Sequence, residues 1–167
     1  MVVERWEAQV RQDHQQLEAQ VGALKAVLEI DAAVRDRLVA LSRFVRVIGP
    51  DLELHLRKEE EIFFPALHKL AGEEAGAIAL LKEQHQKLRA TLKHLAQLVC
   101  ECGCQEKFDW EGAASSGKKF VDLLEDHEGK EEQLLIRALE KGLKPKELLE
   151  LARQFQKIDW KFREEGL

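Results

Sequence analysis

Apolar residues recur at alternating steps of three and four through most of this chain, which is the spacing of helices packed along a common seam. The first run is Trp6, Val10, Leu17, Val21, Leu24 and Leu28, with His14 on the seam. The second is Val34, Leu38, Leu41, Val45, Ile48 and Leu52, then His55 and Glu59, then Ile62, Ala66 and Leu70. The third is Ile78, Leu81, His85, Leu88, Leu92, Leu95 and Val99, and the fourth Phe120, Leu124, His127, Glu131, Leu134 and Ala138. Strand-type runs are missing, and none of the 167 residues is Tyr. The expected fold is all-α: an up-down four-helix bundle over residues 1–142, with an additional amphipathic helix over 143–167.

Breaks separate the runs. Glu29-Ile30-Asp31 closes the first, and Ala71-Gly72 with Gly76 brackets the turn before the third. Cys102 to Asp109 forms the longest polar loop, with Asp109 as an N-cap. Gly142 closes the fourth helix, and Pro145 opens the fifth, whose apolar side is Leu148, Leu151, Phe155, Ile158 and Phe162. Gly49-Pro50 lies inside the second run without breaking its register, which predicts a kink in one long helix.

Six polar residues stand where leucine is expected. Glu59 and Glu131 decide the reading, because a carboxylate aimed into a bundle core is costly unless paired, hydrogen-bonded or bound to metal. They also repeat. His55-Leu-Arg-Lys-Glu59-Glu60 returns 72 residues later as His127-Glu-Gly-Lys-Glu131-Glu132, and Asp13-His14-Gln-Gln-Leu17 returns 71 residues on as Gln84-His85-Gln-Lys-Leu88. Positions four apart share one helix face about 5–6 Å from each other. Each half thus supplies one isolated His and one His-x-x-x-Glu, the donor set of a two-metal site: His14, His55, Glu59, His85, His127 and Glu131. With two imidazoles per ion and both carboxylates shared, each ion has four protein bonds; a bridging oxide or hydroxide makes a fifth. Mixed imidazole and carboxylate donors without thiolate suit two iron ions, or manganese, rather than a structural zinc. His68 and His94 fall beside the seam and are expected at the surface; Glu18, also beside the seam, is expected either to support a neighbouring donor or to lie at the surface. Glu60 and Glu132 are expected to face solvent or hold a neighbouring imidazole N–H.

Other classes are disfavoured. Net charge is −5 with scattered basic residues, so no nucleic-acid face is expected. No stretch approaches the roughly 18 apolar residues of a membrane span, and the charged, amphipathic start does not read as a signal peptide. Cys100, Cys102 and Cys104 crowd together without C-x-x-C spacing; they are expected to be free thiols in a reducing cytoplasm, with Cys100 half-buried. A soft-metal or redox role for them is the alternative.

Taken together, Asp13-His14-x-x-Leu17, His55-x-x-x-Glu59-Glu60-x-x-Phe63-Phe64-Pro65, Gln84-His85-x-x-Leu88 and His127-x-x-x-Glu131-Glu132 resemble the hemerythrin-like (HHE cation-binding) domain. The resemblance spans residues from about 5 to 140. It implies a hemerythrin-like bundle around a non-haem di-iron centre that binds oxygen, nitric oxide or peroxide, or stores or senses iron, with those six residues as ligands. Oxygen-carrying hemerythrins have a second His four residues after the one on the third helix, where this chain has Arg89. They carry an Asp five after the His of the fourth helix, where it has Glu132. The match is to the broader His–Glu branch rather than to oxygen carriers. No histidine has a Glu three residues before it, which excludes the Glu-x-x-His pattern of ferritin-type bundles.

Two functions are expected from this reading. The leading one is a binding protein or sensor for a small diatomic ligand or oxidant, without turnover. The alternative is an enzyme or iron donor in oxidative or nitrosative stress, reducing peroxide or NO or repairing iron–sulfur clusters; no general base or substrate pocket is nameable for it. A homodimer through the C-terminal helix is a further use of that helix's apolar face.

Overall fold

Helix formers dominate each run, and every element of the computed structural model is helical among the residues it describes: 2–70, 75–101, 108–140 and 144–164. α1 is Val2–Glu29, α2 Val34–Lys58, α4 Ala75–Glu101, α5 Trp110–Glu140 and α6 Pro145–Glu164. Between α2 and α4 the same rod continues through a π-helical turn, Glu59–Phe63, into α3, Phe64–Leu70. α1, α2, α4 and α5 pack in a ring, each against two neighbours, and α6 lies on α1 and α2. At the close approach of α5 to α1, a side chain on Gly117 would come within 3.1 Å of a Leu28 methyl.

The helix ends follow from local chemistry. Asp109 Oδ1 accepts from the Gly112 N–H at 2.9 Å, capping α5 as expected. Pro145 takes the first position of α6, and Glu147 reaches back to accept from the Lys144 N–H at 2.8 Å, half of a capping box. Gly76, expected in a turn, sits in the first turn of α4 instead. The expected break at Gly142, Cys102 and Cys104 lie outside the described residues. Cys100 is exposed rather than half-buried.

α2 runs on through Pro50, and the departure from α geometry comes later, at Glu59–Phe63. There the Phe64 N–H bonds to the carbonyl of Glu59, five residues back. Pro65 follows directly: in an α-helix its ring would strike the carbonyl of Glu61 and leave it without a donor, which favours a wider turn at this place. The extra residue slides the seam by one. At the end of the turn and beyond it Ile62, Phe63, Phe64 and Leu67 are buried, whereas Ala66, an expected seam residue, is only partly so. Upstream, Phe44 is buried in place of the half-buried Val45, and Val34, at the helix start, is 43% exposed.

Two apolar cores result. One holds Leu17, Val21, Leu24, Leu41, Ile48, Leu52, Leu56, Leu88, Phe120 and Leu124, inside the four-helix ring. The other joins Phe63, Phe64, Leu67, Ile78, Leu81 and Leu134 to Leu148, Leu151, Phe155 and Ile158 of α6. The apolar side of α6 is therefore covered within its own chain. No helix among the described residues is long and apolar enough to cross a membrane.

Candidate metal centre

The six seam residues are brought together between the two cores. α2 supplies His55 and Glu59 from successive turns, Glu59 opening the π turn; α5 supplies His127 and Glu131; α1 and α4 supply His14 and His85. Five are nearly sealed: His85 and His127 are 0% exposed, Glu131 1%, Glu59 2% and His55 4%. The His14 side chain keeps 15% exposure. His68, His94 and Glu18 are exposed, as expected.

The donors fall into two groups that share one carboxylate. His14, His55, Glu59 and Glu131 form the first and Glu59, His85 and His127 the second; within each, the donor atoms lie within 4.8 Å of one another. Glu59 Oε1 is 2.6 Å from His55 Nε2, while its Oε2 is 2.9 Å from His85 Nε2 and 3.3 Å from His127 Nε2. Glu131 Oε2 lies 3.0 Å from His14 Nε2 and 3.9 Å from His55 Nε2. The sequence repeat suggests symmetric sharing of both carboxylates, but Glu59 lies in both groups and Glu131 in one.

Apart from the His14–Glu131 hydrogen bond, these contacts are not ordinary hydrogen bonds. The Nε2 atoms of His55, His85 and His127 and both oxygens of Glu59 are buried without a hydrogen bond of acceptable geometry. Buried polar atoms rarely go unpaired. Here the unpaired atoms converge on common points, as donors around cations do, so the side chains present fit metal ions.

Titration behaviour shows the same tension. Burial alone would raise the Glu59 carboxyl, but His55, with His127 and His85 close by, holds it well below the usual carboxylate range. Burial and the adjacent Glu59 charge push Glu131 up. Burial disfavours charge on His55, yet Glu59 and Glu131 outweigh it and raise its pKa to about 9. His14 is raised for the same reason: Glu131 overcomes the effect of burial. Without cations, the cage must draw positive charge from its own imidazoles.

Surrounding residues hold the donors. His85 Nδ1 lies 2.7 Å from Glu60 Oε1, the neighbour expected to hold an imidazole N–H, whereas Glu132 is exposed. Phe64 stacks at a tilt on His85, with centroids 5.3 Å apart. Gln84 Nε2 donates to Asp126 at 2.6 Å, tying together the residues that precede His85 and His127. Lys58, beside Glu59, is 4% exposed and pairs with Asp13 at 2.8 Å and Asp159 of α6 at 2.6 Å. Sequence reasoning passes over Lys58, Gln84 and Arg89 because long polar side chains at a seam edge usually reach water. The one signal for the first two is their place directly before a donor residue. A groove of about 510 Å³ between α1 and α5, lined by His14, Glu18, Glu125, Glu128 and Glu132, reaches the least buried donor.

One family model, the hemerythrin HHE cation-binding domain, matches the chain twice, over residues 7–99 and 76–158. The chain belongs to this family. The first match contains His14, His55, Glu59 and His85, and the second His85, His127 and Glu131, so the two matches follow the internal repeat. HHE membership agrees with the all-α bundle, and the His/Glu cage contains groups that could hold a cation. No curated protein and no solved structure matches the chain.

Proposed function

We propose that this HHE domain holds two iron ions and uses them to bind or sense oxygen or another small diatomic ligand or oxidant. The supporting observation is the division of labour at Glu59, whose two oxygens face different imidazole sets in the sealed layer between the cores. His14, His55, Glu59 and Glu131 would hold one ion; His85, His127 and Glu59 the other. Iron bound by imidazole and carboxylate supplies a redox change and an open position for a small ligand. The chain's own part is to orient donors and exclude water. Phe64 packs on His85, Leu17, Leu56, Leu88 and Leu124 are buried near the donors along the same helices, and the groove at His14 gives small ligands a route in.

Metal analysis of freshly isolated protein, with absorption spectroscopy, tests the reading. Two irons per chain and a ligand-to-iron charge-transfer band are expected, with a reversible spectral change when the reduced protein meets oxygen or NO. A chain that arrives without iron and takes none up from ferrous solution would sink the proposal. Two manganese ions would correct the metal, and irreversible oxidation with peroxide consumption would move the protein to the enzymes.

A further inference from the structure

We propose that Glu60 and Arg89 are positioning residues that fix His85 as its Nδ1–H tautomer, and so set how tightly the ion between His85 and His127 is held. This rests on the two-ion reading above. Consecutive carboxylates in the π turn reach opposite nitrogens of one ring: Glu59 Oε2 lies 2.9 Å from Nε2, and Glu60 Oε1 lies 2.7 Å from Nδ1. A neutral imidazole has one N–H and one lone pair, and a carboxylate only accepts. With Nδ1 donating to Glu60, the Nε2 lone pair is left facing the cage.

Glu60 is itself held. Arg89 Nη1 donates to Glu60 Oε1 at 2.7 Å and Nη2 to Oε2 at 3.3 Å. The same guanidinium donates from Nε to Glu53 Oε2 at 2.8 Å and from Nη2 to Glu53 Oε1 at 3.2 Å. A planar fork bound on two edges fixes orientation in a way a lysine ammonium does not. Arg89 stands one turn after His85 on α4, so imidazole and guanidinium present the same face to α2. Among the described residues the first donor group has no such clamp: Glu132, the repeat counterpart of Glu60, and Glu18, the counterpart of Arg89, are both exposed. The effect therefore belongs to one ion of the pair. The Arg89 side chain is 33% exposed and that of Glu60 32%, so replacing them leaves the cores intact.

Nitrogen-15 NMR of the histidines in metal-free protein reads the tautomer without any ion. Wild-type His85 is expected to carry a proton on Nδ1, whether or not Nε2 is also protonated against Glu59. Glu60→Gln, whose amide oxygen still accepts, keeps that tautomer; Glu60→Leu loses it. In ferrous titrations, Glu60→Leu and Arg89→Leu keep one tight ion and weaken the other by about 10- to 100-fold, with Arg89→Lys between them and wild type. Glu60→Gln keeps both ions but raises the reduction potential, because a neutral partner makes the imidazole a weaker donor. Three results would overturn the proposal: wild-type His85 carrying its only proton on Nε2, both ions retained at wild-type affinity in Glu60→Leu, or both weakened equally. If wild type binds fewer than two ions, the two-ion reading fails separately, and the tautomer measurement still decides this one.

Discussion

Glu59 and Glu131 occupy equivalent places in the repeat, yet they do unequal work. Glu59 faces both donor groups and Glu131 only one, so Glu59→Ala is expected to release both ions and Glu131→Ala mainly the one near His14. Ion counting by mass spectrometry checks this, and equal losses would refute it. His68→Ala and His94→Ala should keep full metal content, because both side chains lie in solvent. Glu128 offers a pH test on metal-free protein. Burial, with Glu18 and Glu131 adding to it against His14 and His55, raises its pKa to about 7. The folded state therefore holds a proton that the unfolded chain releases near pH 4.5, and Glu128 lowers stability as pH rises from there through 7. Glu128→Gln should raise Tm by a few degrees at pH 8, with the gain vanishing toward pH 4. An unchanged Tm at both values would show that Glu128 is solvated. At this scale the sequence exposes the donors, because an acidic or imidazole group on an apolar seam is conspicuous. It hides Arg89, Lys58 and Glu128, whose roles depend on what lies across the helix interface.

The π turn and the Lys58 clasp are features of whole elements. The turn absorbs Pro65, and it lets Glu59 and Glu60 both address His85. Sequence points to a kink at Gly49-Pro50 within one long helix, and α2 does run on through Pro50; the change of helix type comes later, just before Pro65, and leaves the rod continuous. Lys58 joins α1, α2 and α6 through Asp13 and Asp159, with its own side chain 5% exposed and theirs 24% and 31%. Removing either carboxylate leaves one partner, so Asp13→Ala or Asp159→Ala should cost about 1 kcal/mol. The double variant strands a buried ammonium and should cost about 3 kcal/mol or more, exceeding the sum of the singles. Urea unfolding of the metal-free proteins measures this, and strict additivity would mean that Lys58 finds water.

Over the whole molecule, a polar layer lies between two apolar cores, and α6, like the π turn and the Glu60–Arg89 pair, breaks the two-fold relation of the halves. Lys130 is the repeat counterpart of Lys58, but it pairs with Asp126 at the surface, where no fifth helix covers it. Cations that neutralise the layer bind the folded state alone, so loading should stabilise the fold. At free iron about 100 times Kd the gain is about 2.7 kcal/mol, or a Tm rise of about 5–10 °C for a chain of this size. Calorimetry before and after chelation checks it; a Tm indifferent to iron would show that the layer is already satisfied without cations.

Periodicity, the repeat and the misplaced His and Glu residues determined, with no other information, that this chain makes helices, that four share a seam, and which six side chains meet there. Those conclusions need only helix geometry and the cost of burying charge, both of which act along a single segment. Only the tertiary structure decided that Glu59 lies in both donor groups and Glu131 in one, that Arg89 binds the Glu60 carboxylate that touches His85, and that α6 spends its apolar face on its own bundle. Each of these depends on which surfaces lie opposite one another across an interface, and side-chain spacing within one helix carries no record of that.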